Sequence, residues 1–173
     1  EEIFKSKAIE INKRLALGID EKQIKELNIF PPNGKDFKKW LEDLIKTPPF
    51  NPNPETYSII QPLIESLEND DCNKFENAAV VIENYYKENL SKVSDKSKFS
   101  EVISVAYHSA KLYSDKTNLA YLLNIENDEA ALKQIQGLPY NKINKVIAMD
   151  TLGMFGTPLT AALMSGGAII MQL

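Results

Sequence analysis

The sequence predicts an all-α protein, and three observations carry that reading. Apolar residues recur at three- and four-residue spacing along most of the chain, helix-start chemistry precedes many of those stretches, and no segment alternates with period two for long enough to make a strand. Runs rich in both Val and Ile, which a buried parallel sheet needs, are also missing. A chain of 173 residues holds one sizeable domain or two small ones and can bury a real core.

The elements follow in order. Phe4, Ala8, Ile11 and Leu15 share one helix face, and Gly18 closes that helix. Asp20 with Gln23 makes a capping box for a short helix carrying Ile24 and Leu27. Pro31-Pro32-Asn33-Gly34 is a turn. Asp36 opens a helix whose stripe is Phe37, Trp40, Leu41, Leu44 and Ile45, with Trp40 expected in the core.

Thr47-Pro48-Pro49-Phe50-Asn51-Pro52-Asn53-Pro54 is the strongest break in the chain. Proline at that density prevents regular structure and favours an extended strap. It could serve as a domain linker, but Phe50 within it favours a strap packed on the surface. Asn53 caps the next helix with Pro54 in its first turn, and Pro62 is expected to kink or restart it before Leu63, Ile64 and Leu67.

A pair of longer helices comes next. Asp71 caps the first, whose inner face is Phe75, Ala78, Ala79, Ile82, Tyr86 and Leu90. Ser94 or Ser97 starts the second, with Phe99, Val102, Ile103, Ala106, Ala110 and Tyr113 inward. The connection is short and polar, so residues 72–90 and 95–113 should form an antiparallel hairpin. Asp128–Gln136 and Pro139–Leu152 complete the helices.

Composition narrows the function classes. The net charge is −4 and Arg14 is the one arginine. Binding to nucleic acid relies on a basic face that displaces counterions, and arginine is the preferred fork for phosphates and base edges. No nucleic-acid partner is therefore expected. Cys72 is the single cysteine, which rules out an internal disulfide and a cysteine-based zinc cluster. The reducing cytosol is the expected compartment, of the producing cell or of a host cell. Residues 151–173 carry no charge, but glycines, Pro158, threonines and Gln172 interrupt the run, and no basic anchor follows. A buried helical segment explains it better than a membrane span.

The candidates for chemistry resolve into packing roles. Cys72 and His108 are the one pair resembling a nucleophile and its base, yet no third group or oxyanion-hole motif accompanies them. Glu68, Asn69, Asp70 and Asp71 form an acidic turn without the alternate-ligand spacing and central Gly of a calcium loop. Gly153 and Gly156 satisfy neither nucleotide fingerprint. Tyr85, Tyr86, Tyr107 and Tyr113 fall at helical spacing, which places them in core and rim. No metal, cofactor or catalytic residue is expected.

The C-terminal stretch is the most informative. Thr157 is a good N-cap, Pro158 falls at the first helical position, and Gly166 lets the chain leave the helix after Leu159–Ser165. Thr157, Pro158, Leu159, Ala162 and Gly166 resemble the opening of an ankyrin repeat, with Ile170 and Leu173 at apolar positions of its second helix. Thr160 and Gly167 stand where that family places histidines. A fainter echo runs through Thr117-Asn118-Leu119-Ala120-Tyr121-Leu122-Leu123 and Asn127–Leu132. Its threonine lies about 40 residues before Thr157, against a family period of about 33, so an insertion near Gly137-Leu138-Pro139 is required. The second helix is cut at Leu173 and the chain begins at Glu1 rather than Met, so a longer protein is expected.

The resemblance implies a helical N-terminal domain or cap, followed by the start of an ankyrin-like helix-pair stack. The expected divisions are N-terminal helices over 1–46, the strap over 47–54, the helical hairpin region over 55–114 and the repeats over 115–173. It also implies a protein–protein interaction module, gripping its partner by loop tips and by the end of each first helix. On this chain those positions are Met154, Phe155, Met164 and Ser165, and Asp115, Lys116, Asn124 and Ile125 in the fainter repeat. Ankyrin proteins with such lysine- and asparagine-rich helical regions include secreted bacterial effectors acting on host proteins. The rival expectation is a piece of an enzyme whose active site lies partly outside this chain, with the repeats recruiting substrate.

Overall fold

The computed structural model describes residues 6, 9–10, 13, 20–26, 43, 53–68, 75–122 and 126–155. The Trp40 stripe, the strap over 47–52, Asp71, Cys72, Asn124, Ile125 and the repeat over 157–173, with Met164 and Ser165, lie outside the described residues. The chain divides into two compact units, residues 1–44 and 45–173. Among the described residues there are helices and turns and no strand, so the protein is all-α.

In the first unit, helix α1 spans Glu21–Glu26. Asp20 caps it, its Oδ1 accepting the Lys22 N–H at 2.9 Å. Lys13 pairs with Glu21 at 2.8 Å. Hydrogen bonding and charge from that ammonium hold the Glu21 carboxyl below the usual range.

The second unit is built from longer helices. Helix α2 spans Pro54–Glu68, and Asn53 begins it as expected, its Oδ1 accepting the Glu55 N–H at 2.9 Å. Pro62 does not break it. The proline sits on the exposed side, so the backbone carbonyl it deprives of a partner is open to water. Burial of Ile60, Leu63, Ile64 and Leu67 on the opposite face holds the helix together across the missing hydrogen bond.

Helix α3, Phe75–Asn89, leads through a 3₁₀ turn at Leu90–Lys92 into α4, Lys96–Tyr113. The two pack along each other, with Tyr86 stacked on Phe99 at 5.9 Å between ring centroids. A contact between the end of one helix and the start of the next makes the pair antiparallel. All six inward residues expected of α4 are buried, as are Ala78, Ala79 and Ile82 of α3, while Tyr86 and Leu90 are half-buried. The start of α4 differs from expectation. Asp95, rather than Ser94 or Ser97, is its cap, accepting the Lys98 N–H at 2.9 Å. A carboxyl there satisfies an orphan donor and also suits the positive end of the helix dipole.

Two short helices follow, α5 at Lys116–Leu122 and α6 at Glu129–Gly137. Asp128 caps α6, accepting the N–H groups of Ala130 and Ala131, each at 3.0 Å. They pack chiefly on each other, and α5 also touches α4.

Helix α7, Tyr140–Gly153, is the centre of the unit and packs against α2, α3 and α4. Every residue from Val146 to Phe155 is buried. A helix buried on all sides carries apolar residues all round, and Val146, Ile147, Ala148, Met149 and Leu152 supply them. Two of its buried polar residues, Thr151 and Asp150, are held by hydrogen bonds. Thr151 Oγ1 donates to the Ile147 carbonyl at 2.8 Å, and the Asp150 carboxyl accepts the hydroxyl of Ser109 on α4.

Candidate functional site

Asp115 and Lys116 stand at the start of α5, between the long hairpin and the short helix pair. Asp115 is exposed, but its carboxyl is engaged in capping α5: Oδ1 accepts the Thr117 N–H at 2.8 Å. Hydrogen bonds from the Thr117 side chain and backbone lower its pKa from the ordinary carboxyl value. The cap of this helix is therefore Asp115, and Thr117 lies inside the first turn. Its counterpart in the fuller repeat was expected to hold the cap position itself.

Lys116 is half-buried. Its Nζ donates to the Gln136 carbonyl at 2.8 Å and to the Leu138 carbonyl at 2.7 Å. The ammonium also lies 4.9 Å from the centre of the Tyr140 ring, within cation–π range. One cation thus joins α5, the end of α6 and the first residue of α7. Asn118 adds a tie backwards, its Nδ2 donating to the Leu112 carbonyl at 2.6 Å.

Met154 and Phe155 require a correction. They were expected at an exposed loop tip, where an adaptable apolar contact could form. They are 3% and 7% exposed, and Phe155 meets Tyr57 of α2 edge-on at 6.1 Å between centroids. Its N–H bonds the Leu152 carbonyl at 3.1 Å. The turn after α7 folds back onto the core because it follows the most buried helix of the unit. Both side chains pack inward rather than standing at an exposed tip.

The large apolar side chains that do reach solvent near this region are Tyr121 of α5, at 66% exposure, Leu112 near the end of α4 and Tyr140 at the start of α7. Periodicity alone did not single them out, since the register of a seven-residue helix is set by what it packs against. Tyr121 does fall four residues after Thr117, which is also exposed, and that spacing marks an outward face.

Among the described residues the remaining candidates are His108 and the tyrosines, Cys72 and the acidic turn over 69–71 lying outside them. His108 is exposed and meets Tyr107 edge-on at 5.7 Å, while Lys111 Nζ lies 5.5 Å from the Tyr107 ring centre. These form a surface cluster of an aromatic ring flanked by two nitrogen-bearing side chains on one helix face. Burial raises the Tyr85 hydroxyl pKa. Among the described residues no group of three His, Cys, Asp or Glu side chains is placed to hold a metal ion, and no helix is long and apolar enough to cross a membrane.

What the fold defines is an all-α protein with a buried central helix and an appended short helix pair. No protein-family model, curated protein or solved structure matches the chain.

Proposed function

We propose that this chain is a protein–protein interaction module, with the short helix pair α5–α6 as the contacting part. The observation that carries the reading is the exposure of large apolar side chains on that pair and at its junctions, Tyr121 at 66%, Leu112 at 43% and Tyr140 at 38%. Exposed aromatic rings bring large contact area at low entropic cost, and Tyr is enriched where proteins bind one another.

The ankyrin-like reading of residues 115–173 is part of the same proposal. Two consecutive short helices packed on each other are the unit such a stack repeats, which supports it. Partner contacts are assigned to the α5–α6 surface rather than to Met154 and Phe155. Action in a cytosol, including that of a host cell into which the protein is secreted, is supported by the single cysteine in 173 residues.

A photoreactive amino acid placed at position 121 tests this reading in cells that express the protein. A discrete protein adduct at position 121, absent when the same group replaces exposed Glu83 on α3 and lost in a Tyr140→Ala background, is the expected result. Equal labelling at 121 and 83, or none at 121, refutes the assignment.

A further inference from the structure

Lys116 occupies a position that its own helix disfavours. It is the first residue of α5, where the helix dipole places partial positive charge and a cation is unfavourable. Asp115 offsets this locally by capping the same end. The compensation leaves unexplained why a cation stands there at all.

The reason lies at the other end of α6. That helix has no basic residue in its last turn, although its terminal carbonyls carry the negative end of the dipole and lack partners within the helix. Leu138 N–H satisfies the Ile135 carbonyl at 3.1 Å. Lys116 takes the Gln136 and Leu138 carbonyls and sets its charge against the Tyr140 ring. It supplies from another helix the C-terminal cation that α6 does not carry itself.

Helix α6 buries few side chains of its own. Within the helix the one fully buried side chain described is Ile135, with Leu138 buried just beyond it, while Lys133, Gln134 and Gln136 are exposed. Helix α7, by contrast, is buried through most of its length. An element with little apolar burial opens at lower free energy than the core it sits on.

We propose that Lys116 is a charge-dependent clasp: its ammonium pins the end of α6 to the start of α7, and removing the charge frees α6 while the packed helices α2, α3, α4 and α7 stay folded. The clasp decides whether the α5–α6 surface is presented in a fixed shape. It concerns the placement of α6 alone and stands independently of whether that surface binds a protein.

Hydrogen exchange read by mass spectrometry tests it on the full chain, comparing Lys116→Gln, Lys116→Arg and the unaltered protein. In Lys116→Gln the amides of 132–138 should exchange roughly tenfold faster or more, the scale of losing charge-assisted hydrogen bonds. Those of 99–110 in α4 should stay within about twofold, because they report the core. Lys116→Arg keeps the charge and donors and should remain close to the unaltered protein in both segments. Unchanged exchange over 132–138 in Lys116→Gln overturns the proposal. Equal acceleration over 99–110 also overturns it, since Lys116 would then stabilise the whole unit. So does an Arg variant as open as the Gln variant, since charge would not be the operative property.

Discussion

Ser109 and Asp150 offer the sharpest test of how the core is held. Ser109 is 5% exposed on α4 and Asp150 is 9% exposed on the central helix α7. The Ser109 hydroxyl donates to the Asp150 carboxyl, joining two helices that pack along each other. Ser109→Ala removes one hydrogen-bond donor from the Asp150 carboxyl where water has little access. Loss of a buried hydrogen bond to a charged group costs about 1.5–3 kcal/mol. With a urea m-value of about 1–3 kcal/mol/M, the unfolding midpoint should fall by roughly 1 M at an unchanged slope. Urea titration followed by far-ultraviolet circular dichroism reads this directly. Ser114→Ala is the control, because that hydroxyl bonds the Lys111 carbonyl at 2.6 Å on the exposed surface, and its loss should cost under about 0.5 kcal/mol. If Ser109→Ala falls within the range of that control, the buried hydrogen bond contributes nothing and the account of α7 as a helix tied through its polar residues is wrong.

Three further outcomes follow from the same packing. Phe155→Ala should destabilise the protein by about 3–5 kcal/mol, as removal of a buried aromatic does, with thermal or urea unfolding as the measure; a stability unchanged by the substitution would return Phe155 to the surface. Asp128→Ala should cost about 1 kcal/mol through loss of the α6 cap, while Asp128→Asn should be nearly silent in the same assay. The pH dependence of Asp115 has a definite sign. Its carboxyl titrates lower in the folded state than in the unfolded chain, so its contribution is complete above the unfolded value and is lost as pH falls through the folded one. Acid unfolding of Asp115→Asn should therefore lack that part of the slope, and an acid profile identical to that of the unaltered protein would count against the cap.

Local chemistry was readable in the residues themselves wherever one helix decides its own start or one face decides its own burial. Asn53 caps the helix it was expected to cap. The inward set of α4 is buried in full. Both outcomes depend on interactions within a few residues, which spacing exposes. At the start of α4, Asp95 lies between Ser94 and Ser97 and takes the cap as the stronger acceptor. At Pro62 the local rule that proline lacks the helical N–H is outweighed by four buried side chains on the other face. The surface was harder to read. Tyr121 and Met154 belong to similar short, mixed segments, yet one lies open and the other is buried, because exposure there depends on which helix the segment meets.

The residues alone therefore determined that the chain is helical and where most helices of the second unit begin and end, since 3.6-residue periodicity and capping are properties of adjacent residues. Only the tertiary structure decided which helix would be central. Helix α7 carries Asn144, Asp150 and Thr151 among its apolar residues and reads no more buried than its neighbours, yet it is enclosed by α2, α3 and α4. The same holds for Lys116, whose partners lie 20 and 22 residues away in sequence. A contact between residues that far apart is set by how helices stack, which no local pattern encodes.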